Sequence, residues 1–170
     1  MLVIILSVPA LYCAAMMTAW DLRARIIPDV YLFPFMLSGL ILCDVMPWTG
    51  GFMESVIAAA LGYFSGIVMN MVFLYIQAKT RSKDKRSRHK NNMESNDFDP
   101  IGMGDIKLLA AGGIWLGISG LAIALVISSI AGAVWGLHRR QRFVPFAPFF
   151  FAGMAVAIIM MFALNDRFIT

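Results

Sequence analysis

Charged side chains are scarce in this sequence. Lys, Arg, Asp and Glu together make up 14% of its 170 residues, whereas an average soluble domain has about 25%. The apolar share is 60% and the mean hydropathy is +0.77. A soluble fold of this length has too little interior to hide so much apolar surface. The composition therefore excludes an ordinary soluble domain and predicts a chain whose main solvent is lipid.

Cysteine and histidine are also sparse, with two residues of each type. Cys13 and Cys43 lie in apolar runs without CxxC spacing, so the sequence supports neither a zinc site nor a disulfide framework. His89 lies in a basic loop and His138 lies at the end of an apolar segment. The sequence has no HExxH, GxSxG, P-loop or dinucleotide-binding motif. We therefore expect no metal site and no cofactor.

Long apolar runs are plentiful, and six of them are candidates for membrane helices, which need about 20 residues to cross a bilayer. Their approximate bounds are 2–20, 29–46, 52–77, 104–117, 119–138 and 145–164. The fourth, GDIKLLAAGGIWLG, is short and interrupted by glycines, so whether it spans fully stays open. We predict an all-α, polytopic integral membrane protein with about six transmembrane helices in a single domain over residues 1–170.

The basic residues are concentrated in alternate connections between these segments. Arg23 and Arg25 follow the first segment, and a basic polar loop at about 79–100 follows the third. All 14 Lys and Arg residues except Arg167 fall on the same side of the predicted membrane. By the positive-inside rule this side is the cytoplasm, and both termini lie on the other side. The basic run of this loop, 79–90, has no interleaved Phe, Trp or Tyr for stacking on bases, so we predict no nucleic-acid partner.

Two acidic residues need an explanation. Asp21 follows Trp20 at the inner end of the first segment, and Asp105 opens the fourth in PIGMGDIKLLAAGG. The predicted orientation brings both to the cytoplasmic boundary of the membrane, where an ionisable group indicates a functional site. The structural alternative is that Asp21 pairs with Arg25 one helical turn on, and that Asp105 caps a helix through Gly104.

Two carboxylates brought together can share one proton. One then acts as a general base on water while the protonated one polarises a carbonyl group, and together they hydrolyse an amide bond. Gly102 and Gly104 leave no side chain on either side of Met103, so another backbone can approach Asp105 closely. Each glycine either needs a positive φ or only lacks room for a methyl group. Alanine at Gly102 or Gly104 is therefore expected to abolish most activity, and Gly117→Ala, at the far end of the same segment, is the control expected to keep most of it.

Around these residues the sequence resembles the bacterial type IV prepilin peptidases, the GxGD class of intramembrane aspartyl proteases. Three blocks carry the resemblance, namely DLRARIIPD at 21–29, GMGDIKLLAAGGIWLG at 102–117 and FVPFAPFFFAG at 143–153. The third departs from the family's Pro-Phe-Gly-Pro pattern, with Ala147 in place of the glycine. The resemblance implies that Asp21 and Asp105 are the catalytic pair, and that Gly102 and Gly104 shape the active-site turn.

The same resemblance implies an aspartic endopeptidase of the bacterial cytoplasmic membrane. Such an enzyme removes the short basic leader peptide from type IV prepilin-like or pseudopilin precursors at the cytoplasmic face. Its partners would be these substrates, the lipid bilayer and the pilus or secretion assembly machinery. Lys107 matches the family's lysine, and Lys107 and Pro28 are candidates for a supporting role. The chain resembles the short form without a CxxC-containing domain, so we expect no N-methyltransferase activity.

Two other classes of protein are consistent with the composition. A small proton-coupled membrane transporter component would use the two acids as a proton relay, and a membrane assembly factor would need no chemistry. Transporters often have paired repeats or broken helices in both halves, and neither is evident in this sequence. Cleavage of a prepilin by the purified protein distinguishes the endopeptidase from both alternatives.

The charge pattern predicts the topology. Reporter fusions after residues 90 and 141 should report a cytoplasmic location, because these positions follow clusters of basic residues. Fusions near residue 49 and at the carboxyl terminus should report the exterior. A cytoplasmic carboxyl terminus would contradict six crossings and would imply five, with the short segment at 104–117 as the one that does not span.

Overall fold

The computed structural model of this protein describes residues 2–46, 48–84, 102–139 and 145–165. In this part of the chain there are five helices and no strand. They are α1 (Leu2–Ala24), α2 (Asp29–Leu42), α3 (Phe52–Asp84), α4 (Met103–Arg139) and α5 (Phe146–Asn165). Four contain a stretch long and apolar enough to cross a membrane, and α2 is a shorter apolar helix. The prediction of an all-α polytopic membrane protein is confirmed, while the number of crossings stays a prediction.

The third helix is longer than the apolar run that predicts it. The hydropathy ends near residue 77, but α3 continues to Asp84 and takes in the first part of the basic loop. Ala, Gln, Lys and Arg all favour helix, so the backbone stays helical after the apolar run has ended. Hydropathy therefore marks the depth of the membrane and not the end of the helix. The rest of the predicted loop, 85–100, lies outside the described residues.

α4 is interrupted at Gly117, where φ is 67° and ψ is −173°. We call residues 103–116 the first arm and residues 118–139 the second arm. They coincide with the segments predicted at 104–117 and 119–138. Glu54, in the first turn of α3, lies at the break, and its Oε1 atom accepts a hydrogen bond from the Ile118 N–H at 3.4 Å. Since this φ, ψ combination is essentially restricted to glycine, the residue type at 117 permits the break.

The two arms of α4 fold back beside each other. Gly112 of the first arm faces Phe150 and Met154 of α5, while Gly153 of α5 faces Ala124 of the second arm. Positions 112 and 124 would be about 18 Å apart in a straight helix, at 1.5 Å per residue. Their contacts on α5 lie instead within about one helical turn. The chain therefore reverses direction at Gly117.

The first arm is the central helix of the bundle, and all residues from 108 to 117 are buried. α3 runs antiparallel to it, through four successive contacts: Glu54 with Gly117, Ala58 with Gly113, Gly62 with Leu109, and Gly66 with Ile106. A methyl carbon on Gly113 would lie 2.5 Å from the Ala58 carbonyl oxygen, and one on Gly62 would lie 2.6 Å from that of Leu109. Small residues thus bring the two backbones into direct contact, as is typical of helices in membranes.

Trp115 attaches α2 to the first arm. Its indole Nε1 donates a hydrogen bond to the Phe35 carbonyl oxygen at 2.9 Å, and its ring stacks on Phe35 at 5.3 Å. Its own carbonyl oxygen accepts a hydrogen bond from Trp48 Nε1 at 3.0 Å. Buried indole N–H groups generally need such an acceptor. These contacts hold α2 and the connection before α3 against the end of the first arm.

The backbone at Gly117 leads to a prediction about stability. Gly117→Ala should lower the melting temperature in detergent, because a positive φ costs alanine about 1–2 kcal/mol. The added methyl carbon would also lie 3.1 Å from Glu54 Oε1. The expectation that Gly117 accepts alanine is thus contrary to the structure. Gly102→Ala is the matched control, since φ is not positive there and the nearest heavy atom to the new methyl group is 3.8 Å away. Equal melting temperatures for the two variants would contradict this account of the break.

Candidate active site

Asp21 lies in the last turns of α1 and is almost completely buried, with 5% of its surface exposed. α1 ends directly after it, because Arg25 adopts a left-handed backbone conformation (φ 55°) and donates its N–H to the Asp21 carbonyl oxygen at 3.0 Å. The Arg25 side chain is close enough to attract the negative charge of the Asp21 carboxylate. The positive charge of Arg25 thus acts on Asp21, as the alternative that the sequence offers requires.

The side chain of Asp21 reaches the N-terminus of α5. Its Oδ2 atom accepts a hydrogen bond from the backbone N–H of Ala147 at 2.8 Å, and the N–H of Phe146 is directed at the same carboxylate. The first N–H groups of a helix have no acceptor within the helix. A carboxylate satisfies them and interacts favourably with the helix dipole. The sequence does not predict this contact, although Pro145 and Pro148 indicate the start of a helix there.

Asp105 lies in the first turn of α4 and is partly buried. Its backbone N–H donates to the Gly102 carbonyl oxygen at 2.9 Å, and its carboxylate accepts a hydrogen bond from the Gly102 N–H. The side-chain bond is one half of a capping box, in which the third helical residue reaches back to the N-cap N–H, while glycine has no side chain to supply the other half. Asp105 therefore does cap its helix, as the structural alternative proposes, but it does so through Gly102 and not through Gly104.

The fold brings the two carboxylates together although they belong to the first and fourth helices. The Asp105 carboxylate is close enough to that of Asp21 for their negative charges to repel each other. Neither cap requires the other acid, since Asp21 is bonded to α5 and Asp105 to the turn of its own helix. Capping thus explains each residue separately and leaves their common location unexplained.

The connection between α1 and α2 lies against the first turn of α4. A methyl carbon on Gly104 would lie 3.0 Å from Ile27 Cβ, so this close approach depends on the absence of a side chain. Lys107 Nζ donates to both carboxylate oxygens of Asp29, at 2.9 and 2.7 Å. Pro28 is extended (φ −71°, ψ 127°) and immediately precedes α2. These contacts join the helix that carries Asp105 to the segment that follows Asp21.

The two glycines of the GMG turn have different environments. Within the described residues, glycines with positive φ occur only at Gly51 and Gly117, so neither Gly102 nor Gly104 needs glycine for its backbone conformation. Gly104 is crowded by Ile27, whereas the nearest heavy atom to a methyl carbon on Gly102 is 3.8 Å away. Of the two explanations that the sequence leaves open, lack of room applies to Gly104 alone.

Ala147, where the resembled pattern has glycine, is accommodated without strain. It lies in the first turn of α5, is completely buried and does not have a positive φ. An L-residue is therefore compatible with this backbone, and the N–H that reaches Asp21 is the same for alanine and glycine. The departure from the family pattern does not alter the contact.

An apolar cavity lies apart from the two aspartates. Among the described residues, no three His, Cys, Asp or Glu side chains come together in a group that could hold a metal ion. An apolar cavity of about 450 Å³ lies between α1, α2, α5 and the end of the first arm, with Trp48 and Trp115 in its wall. It contains neither Asp21 nor Asp105.

Comparison with known proteins gives consistent matches. The family model of the type IV leader peptidase family matches residues 8–137. The chain is 34% identical over 155 residues to a prepilin leader peptidase/N-methyltransferase of Burkholderia pseudomallei, which covers 86% of this chain and 44% of that protein. Proteins of the same name from Aeromonas hydrophila and Neisseria gonorrhoeae are both 29% identical, and cover 80% and 88% of this chain.

The chain spans less than half the length of these curated relatives, 44% or 45% in each case. No solved structure matches it. The matched residues of the family model include Asp21, the GMGD turn and the whole first arm of α4. The resemblance seen in the sequence is thereby confirmed, and the chain belongs to the type IV leader peptidase family.

Proposed function

We propose that this protein is an aspartic endopeptidase that cleaves the short basic leader peptide from type IV prepilin-like or pseudopilin precursors. The observation that carries the proposal is the meeting of Asp21 and Asp105, from two different helices, at one end of a membrane helix bundle. Buried ionisable groups in membrane segments are costly and are generally retained for function. Membership of the type IV leader peptidase family supports leader peptides as the substrate.

The two carboxylates share the acid and base roles. The ionised carboxylate takes a proton from a water molecule, whose oxygen then attacks the carbonyl carbon of the scissile peptide bond. The protonated carboxyl group gives its proton to the carbonyl oxygen, so the tetrahedral intermediate carries no full negative charge. Breakdown of this intermediate breaks the C–N bond, and the amine leaves with a proton returned by the carboxyl group that took it from water. As the C=O bond re-forms, one hydroxyl group of the intermediate returns its proton to the other carboxylate. The new carboxylic acid and the free amine balance the water consumed.

The position of the site agrees with cleavage at the cytoplasmic face. Arg23 and Arg25 directly follow Asp21, and Lys107 directly follows the turn that holds Asp105. By the positive-inside rule such residues mark the cytoplasmic boundary. A substrate with its leader in the cytoplasm and an apolar segment in the membrane would present the bond between them at this depth. This location supports cleavage of such a bond by the two carboxylates.

Lys107 and Pro28 have a supporting role in this proposal. The ion pair between Lys107 and Asp29 is about half exposed, so its contribution to the free energy of folding is small, about 1 kcal/mol or less. Its value lies in its geometry, because it attaches the start of α2 to the helix that carries Asp105. Pro28 is the residue before α2, and its ring fixes its φ near the observed −71°, next to Asp29.

The proposal covers the peptidase reaction alone. The names of the longer relatives include N-methyltransferase activity, which belongs to those proteins and is not proposed for this chain. A proton-relay function for the same two acids would need a continuous polar path across the bundle. In the described residues the first arm between Leu108 and Gly117 is instead buried among apolar side chains.

Substitution of either aspartate tests the proposal. Asp21→Asn and Asp105→Asn should each lower the rate of prepilin cleavage by about a hundredfold to ten-thousandfold, the contribution of general acid and base catalysis. The double variant should be scarcely slower than either single one, because the two acids act as a unit. The measurement is leader removal by purified protein in detergent, with membrane insertion checked separately.

Asp29→Asn is the matched control for these variants. Asparagine keeps an acceptor for Lys107 and lies outside the pair of acids, so it should leave most activity intact. Full cleavage by either Asp21→Asn or Asp105→Asn would refute the proposed mechanism. Loss of activity in Asp29→Asn comparable to theirs would show that the pair has been chosen wrongly.

The two glycines of the GMG turn allow a second test of the proposal, which changes the geometry of the site and leaves both acids in place. Gly104→Ala should slow cleavage by about tenfold, because Ile27 must move by several tenths of an ångström, and a displacement of about 1 Å can cost a hundredfold in rate. Gly102→Ala has room for its methyl group and should retain most activity. If the two variants are equally slow, contact with Ile27 is not what the turn requires.

A further inference from the structure

The first turn of α5 has an unusual set of hydrogen-bond donors. Pro145 precedes the helix and Pro148 is its third residue, and neither has a backbone N–H. Only Phe146 and Ala147 therefore supply donors between the two prolines. Both N–H groups are directed at the carboxylate of Asp21. The donors that α5 offers at its start are thus matched to a single acceptor from α1.

We propose that the N-terminus of α5 positions Asp21, with the N–H of Ala147 bonded to Oδ2 and that of Phe146 directed at the same carboxylate, so that Oδ1 is the oxygen that reacts. This inference rests on the proposed function and adds the third sequence block to its site. The two amides are positioning groups, since they act on the substrate only through the carboxylate. Backbone amides are suited to this role because the helix fixes their direction.

Because both partners are buried, Asp21 and the N-terminus of α5 each depend on their contact with the other. Ala147 is completely buried and Asp21 is 5% exposed, so water does not readily replace either partner. A buried N–H without an acceptor is costly, and Asp21 therefore stabilises α5 while α5 orients Asp21. Asp105 differs, because its carboxylate bonds to the N–H of Gly102, an exposed residue whose N–H can turn to water instead. The two acids should thus be equally necessary for cleavage but unequally necessary for stability.

The difference is measurable with the full-length protein in detergent, without any substrate. Asp21→Asn keeps an acceptor for the two amides and should melt within about 2 °C of the wild type. Asp21→Leu has a similar shape but no acceptor, and should melt about 5 °C or more below Asp21→Asn, as expected for unsatisfied buried donors. Asp105→Leu is the matched control. Its melting temperature should lie below that of Asp105→Asn by at most half of this difference. Equal melting temperatures for Asp21→Asn and Asp21→Leu would overturn the inference.

A second variant removes the donor instead of the acceptor. Ala147→Pro deletes the N–H at a position in the first helical turn, where proline is tolerated. Its kcat should fall by about a hundredfold, because the carboxylate loses its fixed position, while KM changes by less than about threefold. Ala147→Gly keeps the N–H and is the conservative variant, with kcat expected within about threefold of the wild type. A wild-type kcat in Ala147→Pro would overturn the inference.

The two experiments separate this inference from the proposed function. If Asp21→Leu is destabilised relative to Asp21→Asn while both cleave normally, the contact with α5 exists and the proposed peptidase mechanism is wrong. If both are inactive and equally stable, the mechanism stands and the positioning role of α5 is wrong. Should Ala147→Pro fail to fold, the comparison of the two Asp21 variants still decides the matter.

Discussion

The close contact between α3 and the first arm of α4 is the interaction on which the remaining architecture depends. The carbonyl oxygen of Ala58 lies against Gly113, and that of Leu109 lies against Gly62, so the two backbones meet without intervening side chains. In lipid there is little hydrophobic gain from bringing helices together, and close packing has to supply the stability. This contact places the first arm at the centre of the bundle, and its N-terminus then carries Asp105 to the end where α1 stops.

At the end of the bundle where α1 stops, the groups that stabilise the fold are also the groups of the proposed chemistry. Asp21 satisfies the N-terminus of α5, and Asp105 satisfies the N-terminus of its own helix. Each carboxylate thereby has a fixed location before any substrate arrives, which is what efficient catalysis requires. The connection between α1 and α2 adds the remaining restraint, through the contact of Ile27 with Gly104 and the ion pair of Asp29 with Lys107.

Much of this arrangement can be predicted from the sequence. The features that cannot be predicted have different physical causes. Hydropathy locates the helices and separates the two arms of α4, because apolar runs report on membrane depth. It does not predict the positive φ of Gly117, where the sequence offers no reason against alanine. It does not predict that α3 continues to Asp84, since helix propensity and hydropathy are independent properties. Nor does it predict the hydrogen bond from Ala147 to Asp21, because backbone donors carry no signature in the side-chain sequence. The pairing of Lys107 with Asp29 likewise depends on which helices become neighbours.

The contact between α1 and α5 has a consequence for the order of events during synthesis. Asp21 is translated and inserted early, yet the amides that hold it belong to the last of the five described helices. A nascent chain that has delivered only its first four helices to the membrane already contains both acids but lacks their completed arrangement. On the proposed function, competence for hydrolysis would arise only when α5 has been inserted, and partly assembled copies in the bilayer would be inert.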